Sequence, residues 1–357
     1  MRTRILLTIA ATATILAGCS NEETNEVIDN WNGEIRLSSG LAVQTRADAS
    51  TGTQGDKIAN GQTVYVWANE ATTDATAHIK AWALTADGNN GLSSSSSKFY
   101  PSNGNSLHFY AIHGNFGSTT AFTDGTTALP SSLEHTVEAT QYNADNNGTE
   151  MDGYLKSDLL YAVKKNVARS NSAVSLTFYH LLSKVRIVLK KGDGAPDLEG
   201  ATVTIEGTKP KATFTLVTTD ELSSSTTWSS IVTVKNSDDN TASPITIKTE
   251  TIEDFNSVSS YGEGIIVPQT VSANTAFIKV KLATDKGGTT FTYNAPSGGL
   301  PFESGKMYTY NITVKSTGLT VTSSMQDWTS AGDASTGDAT MDEPASGGGN
   351  EGGADNP

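Results

Sequence analysis

Cysteine is almost missing: Cys19 is the single one in 357 residues, so no disulfide can form within the chain and its folded part must be held by buried apolar surface. Basic charge is scarce as well. The chain carries 24 Lys and Arg against 38 Asp and Glu, a net charge of −14, with no Lys/Arg cluster interleaved with aromatics. Such a surface repels phosphate backbones and excludes nucleic acid as a partner. Apolar runs of membrane length are missing too, since a spanning helix needs about 20 residues. Covalent lipid is then the one membrane attachment on offer. Neither a G-x-S-x-G elbow nor a Walker loop occurs: Gly305-Lys306 is followed by Met307, and Leu300 stands where the first loop glycine would be. The histidines His78, His108, His113, His135 and His180 lack ligand spacing. His108 and His113 are five apart, on opposite faces of a regular strand. No cofactor, metal or catalytic group is predicted, and the chain reads as a non-enzyme.

What is present begins at the N-terminus. Arg2 and Arg4 precede the apolar stretch from Ile5 to Leu16, too short to span a bilayer, and Leu16-Ala17-Gly18-Cys19 follows with the small residues of a lipobox. Residues 1–18 are therefore expected to be a lipoprotein signal peptide and Cys19 the lipidation site, which would tether the protein to the outer membrane. Loss of Arg2 and Arg4 with the signal takes the net charge to −16. Residues 21–30 are polar and acidic. Next, Ile35, Leu37, Leu41 and Val43 share one parity while Glu34, Arg36, Ser38 and Gln44 take the other, the pattern of a half-buried strand. It is followed by Thr45-Arg46-Ala47, a basic residue among small polar ones, the kind of exposed peptide that trypsin-like proteases cut.

Beyond a Thr, Gly, Asp and Ala loop to residue 61, the spacing predicts strands at 63–68, 77–84, 106–112, 132–139, 159–164 and 174–178, and no helix. Turn chemistry separates them, as in Asp87-Gly88-Asn89-Asn90-Gly91. Residues 181–190 alternate strongly. More strands are expected at 201–206, 212–217, 230–234, 244–248, 264–268, 277–282, 289–293 and 307–315. This is the pattern of an all-β chain with two β-sandwiches in tandem, residues 47–182 and 183–328, preceded by a tether and first strand within 19–46. Residues 329–357 hold seven Gly and many acids but almost no large apolar side chain, so a disordered tail is expected. Tyr65, Trp67 and Trp82 could either form core or present a sugar-stacking platform, which leaves surface glycans as an alternative partner.

Several runs together resemble a known family. They are Tyr100-Pro101-Ser102-Asn103-Gly104-Asn105 continuing to Ala111, Asp158-Leu159-Leu160-Tyr161-Ala162, Leu176 to Val185, Val267-Pro268-Gln269-Thr270, Gly305 to Val314, and Trp328. With the lipobox and the Arg46 site, the chain resembles the fimbrillins, fimbria subunits (type V pili) of Bacteroides-type bacteria. Glu22 and Glu23 likewise resemble the acidic export tag of some surface lipoproteins of such bacteria.

The resemblance implies two transthyretin-like Greek-key β-sandwich domains in a lipoprotein that is assembled outside the cell. It also implies that an arginine-specific protease cuts after Arg46 and removes the strand holding Ile35, Leu37, Leu41 and Val43. A strand from another copy, or from a related pilus subunit, would then fill the groove head to tail. Two C-terminal stretches have the period-2 pattern a donor needs: Tyr308, Tyr310, Ile312 and Val314, or Leu319 and Val321. The resemblance leaves open whether the subunit belongs to the stalk, the tip or the anchor.

Overall fold

A computed structural model describes residues 31–42, 57–72, 76–116, 122–141, 153–223, 226–249 and 260–328. Cys19, Val43, Thr45-Arg46-Ala47 and the Gly-rich tail lie outside these residues.

The fold is all-β. The first strands are β1 (Leu37–Leu41), β2 (Thr63–Glu70), β3 (Ala77–Ala86), β4 (Gly91–Ser93), β5 (Leu107–His113) and β6 (Ser132–Thr136). A one-turn helix, α1 (Gly153–Ser157), which the sequence pattern does not announce, leads to β7 (Leu160–Val167) and β8 (Val174–His180). Seven of these eight strands form a closed ring in the order β1-β4-β3-β2-β5-β7-β8. Six of its seven joints are antiparallel; the ring closes through a parallel pairing of β8 with β1.

β5 is buried at every position, because its two faces serve two cores. Phe109 and Ala111 are buried on one parity. Tyr110 and Ile112, on the other, join a core that extends into the C-terminal half. On that side the Tyr110 hydroxyl donates to Thr218 O at 3.2 Å and the Tyr161 hydroxyl to Val217 O at 2.7 Å. Burial raises the Tyr161 hydroxyl pKa well above its ordinary value.

The C-terminal half holds β9 (Ser183–Lys191), β10 (Thr202–Ile205), β11 (Lys211–Thr215), β12 (Val232–Val234), β13 (Ile245–Thr246), β14 (Lys248–Thr249) and β15 (Ser260–Ile266). It continues with β16 (Thr270–Val271), β17 (Ala276–Lys281), β18 (Thr290–Asn294), β19 (Leu300–Pro301), β20 (Lys306–Lys315) and β21 (Gly318–Asp327). One sheet has the order β14-β15-β9-β20-β21 and another β13-β10-β17-β18. Rings of Phe277 and Tyr293 approach Tyr310 at 5.3 and 6.1 Å, which places β17 and β18 of the second sheet against β20 of the first. β6 pairs over five positions with β11, whose other neighbour is β12, so one strand from before residue 182 is built into a sheet with two from after it.

Candidate assembly site: a strand held on both edges

The segment from Gly33 to Ala42 lies between two backbone walls. Along one, β1 runs parallel to β8 in the register Leu37↔Val174 to Leu41↔Phe178. Val174 N–H donates to Arg36 O and Ala42 N–H to Phe178 O, both at 2.8 Å. Along the other wall, Ile35 N–H donates to Lys98 O at 2.7 Å, Ser39 N–H to Asn90 O at 2.8 Å, and Tyr100 N–H to Gly33 O at 2.9 Å. Ile35, Leu37, Ser39 and Leu41 all point inward and are buried, while Arg36 is exposed. The strict period of two places Ile35, Leu37 and Leu41 on the inner face. Each of the three fully buried aliphatic groups contributes about 1.5–3 kcal/mol relative to exposure.

Local chemistry shapes the walls. The Asp87 carboxylate accepts from Asn89 N–H at 2.6 Å and from Gly91 N–H at 2.8 Å, closing the turn that presents Asn90 O to Ser39. A Cβ on Gly91 would stand 2.2 Å from that carboxylate, so a side chain there would have to push Asp87 out of its place in the turn. The opposite wall depends on its occupant: among the described residues β8 pairs with β7 only at Leu160↔His180 and Tyr161↔Tyr179. Residues 174–178 of β8 take their ladder partner from β1. Withdrawing β1 would leave unpaired backbone on both walls and uncover Val174, Leu176 and Phe178, which are buried.

The two C-terminal stretches differ sharply. Tyr308, Tyr310, Ile312 and Val314 are buried on β20, a central strand parallel to β9 on one side and antiparallel to β21 on the other. Burial pushes the Tyr308 hydroxyl pKa up to about 12 and raises that of Tyr310 well above its ordinary value. This corrects the expectation that β20 could be donated: its removal would take the middle out of a sheet. β21 is an edge strand, with Leu319 and Val321 half-buried. Just past its end, buried Trp328 stacks on His180 at 4.0 Å and 15° between planes, with Lys184 Nζ 5.1 Å from its ring. His180 Nδ1 and Asp158 Oδ1 are 2.8 Å apart, and Lys184 pairs with Glu263 at 3.3 Å, all four groups buried.

The sugar-stacking reading is also corrected. Trp67 and Trp82 are buried, and their indole N–H groups donate to Thr127 O and Ser96 O, both at 2.9 Å. Tyr65 is half-buried with its ring 4.7 Å from that of Phe122. Neither tryptophan presents an exposed ring face to a sugar.

The histidines serve the fold. Nitrogens of His113 contact Thr63 O and Leu155 O, His108 Nδ1 accepts from Asn166 N–H, and His78 Nε2 lies 2.7 Å from Phe99 O. His135 accepts from Asn115 N–H at Nδ1 and therefore donates from Nε2 to Ser157 O. Its burial lowers the pKa to about 4. Among the described residues no group of three His, Cys, Asp or Glu side chains could hold a metal.

A cleft of about 600 Å³ lies between β12, the β16/β19 ribbon and the start of β20, and two of its lining side chains are tied to the fold. The Gln269 amide binds Lys209 and Val267 backbone atoms, and Lys306 pairs with Asp327. Sequence reasoning identified the inward parity of β1 but missed Ser39 as an inward position, because serine carries no apolar signal.

Residues 45–328 match the family model described as Fimbrillin-like. The chain is 25% identical over 346 residues to Fim1C, a candidate fimbrium subunit of Bacteroides uniformis, covering 92% of this chain and 96% of that one. Two crystal structures share the fold. A candidate cell adhesion protein from Bacteroides uniformis matches with a TM-score of 0.53 at 19% identity, covering 83% of this chain and 98% of that one. Another, from Bacteroides ovatus, matches with a TM-score of 0.54 at 18% identity, covering 83% and 96%.

Proposed function

Because the chain belongs to the fimbrillin-like family, we propose that it is a non-enzymatic structural subunit of a cell-surface fimbrium, exported as a lipoprotein on Cys19 and polymerised by strand exchange after cleavage at Arg46. The observation that carries this reading is β1 itself. It is bound by backbone on both edges, buries Ile35, Leu37, Ser39 and Leu41, and lies only five residues before Arg46. Cleavage there would free the protein from its lipid and also turn an occupied slot into a vacant one. Two further facts fit. The family match begins at residue 45, leaving β1 outside it. The chain supplies an edge strand, β21, at the other end of the fold. Joining slot to strand is heterologous, so successive subunits grow as a filament and do not close as a pair.

Intact-mass analysis of the surface protein, from cells with and without arginine-specific protease activity, tests the proposal. A mature N-terminus at Ala47 in assembled fibres, together with oligomers resistant to mild denaturant, is the expected outcome. Fibres whose subunits all retain lipidated Cys19 would overturn it. Arg36 provides an internal control, since its carbonyl accepts from Val174 N–H within the ladder and its peptide bond should be spared.

A further inference from the structure

One wall of the cleft beside β12 is backbone. β12 is the outer strand of the sheet β12-β11-β6, with β11 as its one ladder partner among the described residues. The bonds that flank it set its phase: Thr215 N–H donates to Ile231 O at 2.8 Å and Lys235 N–H to Lys211 O at 2.9 Å. In an antiparallel pair alternate residues bond to the same neighbour, so Ile231, Thr233 and Lys235 face β11. Val232 and Val234 therefore turn their N–H and C=O groups the other way. Both valines line the cleft, one buried and the other half-buried, and among the described residues neither has a hydrogen bond on that side. Backbone groups so placed call for a partner.

The opposite wall is held firmly. Phe302 N–H donates to Gln269 O at 2.8 Å, and its ring packs on those of Phe277 and Tyr308 at 5.2 and 4.7 Å. Between the walls, about 600 Å³ falls within the ~300–1,000 Å³ of ligand-sized pockets.

Charge narrows the choice of occupant. Glu303 and Lys306 are the charged side chains of the lining, and Lys306 is neutralised by Asp327. Glu303 is exposed and has no ion pair among the described residues, so the cleft keeps one uncompensated negative charge, in a chain whose net charge is −14.

We propose that this cleft binds an extended peptide of another protein, which adds to the free edge of β12 as a short strand and brings a basic side chain to Glu303. The outward N–H and C=O groups of Val232 and Val234 repeat every two residues, about 6.8 Å, the repeat of an extended peptide backbone. Alternation then sets the ligand's pattern. Its side chains level with Val232 and Val234 turn toward the core and should be apolar, while the one between them lies with exposed Thr233 in solvent and can carry the charge. The recognised sequence reads apolar, basic, apolar.

The test keeps the strand-exchange slot occupied. The full chain is prepared uncut, with Cys19→Ser and Arg46→Ala, so that β1 stays in place. The probes are two fluorescein-labelled peptides, acetyl-Thr-Val-Lys-Val-Thr-amide and its counterpart with Glu in place of Lys, followed by fluorescence anisotropy. The lysine peptide should bind saturably and at least tenfold more tightly than the glutamate peptide. Val234→Pro removes the outward N–H of that residue and leaves the bonds to β11, as proline does on an edge strand, and should weaken binding at least tenfold. Glu303→Gln, a change on an exposed side chain, should bring the two peptides within twofold of each other. Urea midpoints of the variants confirm that they remain folded. No saturable binding of the lysine peptide below about 1 mM would overturn the proposal. So would binding that is indifferent to Val234→Pro in a folded variant, or two peptides that bind equally well to the parent chain. An uncut chain that ignores the peptide but self-associates, and ceases to with Val234→Pro, would overturn it in favour of a second copy at this edge.

Discussion

Replacing Leu37 by Ala in the uncut chain is the sharpest test of whether β1 belongs to the folded unit. Leu37 is 5% exposed and packs at the ladder between Leu92 and Val174. Truncation removes three carbons, worth about 2.4 kcal/mol at roughly 0.8 kcal/mol each. Walls on both edges keep the site from collapsing, so a cavity term brings the expected loss to about 3 kcal/mol, within the range of about 2–5 for such changes. Leu319→Ala makes the same chemical change on half-buried β21, where one edge is open, and should cost about 1 kcal/mol. Urea unfolding separates the two. With a slope of about 3 kcal/mol per molar urea, the midpoint falls by about 1 M for Leu37→Ala and by about 0.3 M for Leu319→Ala. A Leu37→Ala midpoint no lower than that of Leu319→Ala would refute the view that β1 is an integral strand.

Stability should also fall on acidification because of His135. Its folded pKa of about 4 lies below the ordinary 6.5, so the unfolded chain takes up the proton first. The stabilisation is complete above pH 6.5 and is lost as the pH falls toward 4, by about 3 kcal/mol at about 1.36 kcal/mol per pH unit. His135→Gln should flatten that part of a urea-midpoint-against-pH curve, and an unchanged slope would count against it. Trp67→Ala and Trp82→Ala should each lose about 3–5 kcal/mol in the same assay, as buried tryptophans do. A glycan array that reads the same before and after Trp82→Phe is the matching expectation for a residue that meets no sugar.

Period-2 alternation made β1 legible from Ile35, Leu37 and Leu41, and Asp87 to Gly91 announced the turn that meets it. The same rule failed for the tryptophans. β2 buries Val64 and Val66 on one parity and Trp67 on the other, and alternation cannot assign an outer face where neither face is solvated. It failed differently for the C-terminal hairpin. The strong alternation of Tyr308 to Val314 marks a strand buried at the centre of a sheet, whereas a spare edge strand has a weak pattern because its side chains are half-exposed. Ring closure by β8 on β1, and the pairing of β6 with β11, join residues 75 or more positions apart. No local signal encodes such contacts.

The hydrogen bonds on both edges of β1 have a mechanical consequence. A strand drawn along its own axis between two walls loads all of its backbone bonds together. One peeled from a single edge gives them up one at a time. If the fibre axis follows β8, tension on the filament would act on the joint in shear, so the rupture force should rise with the number of paired residues and depend little on any single side chain.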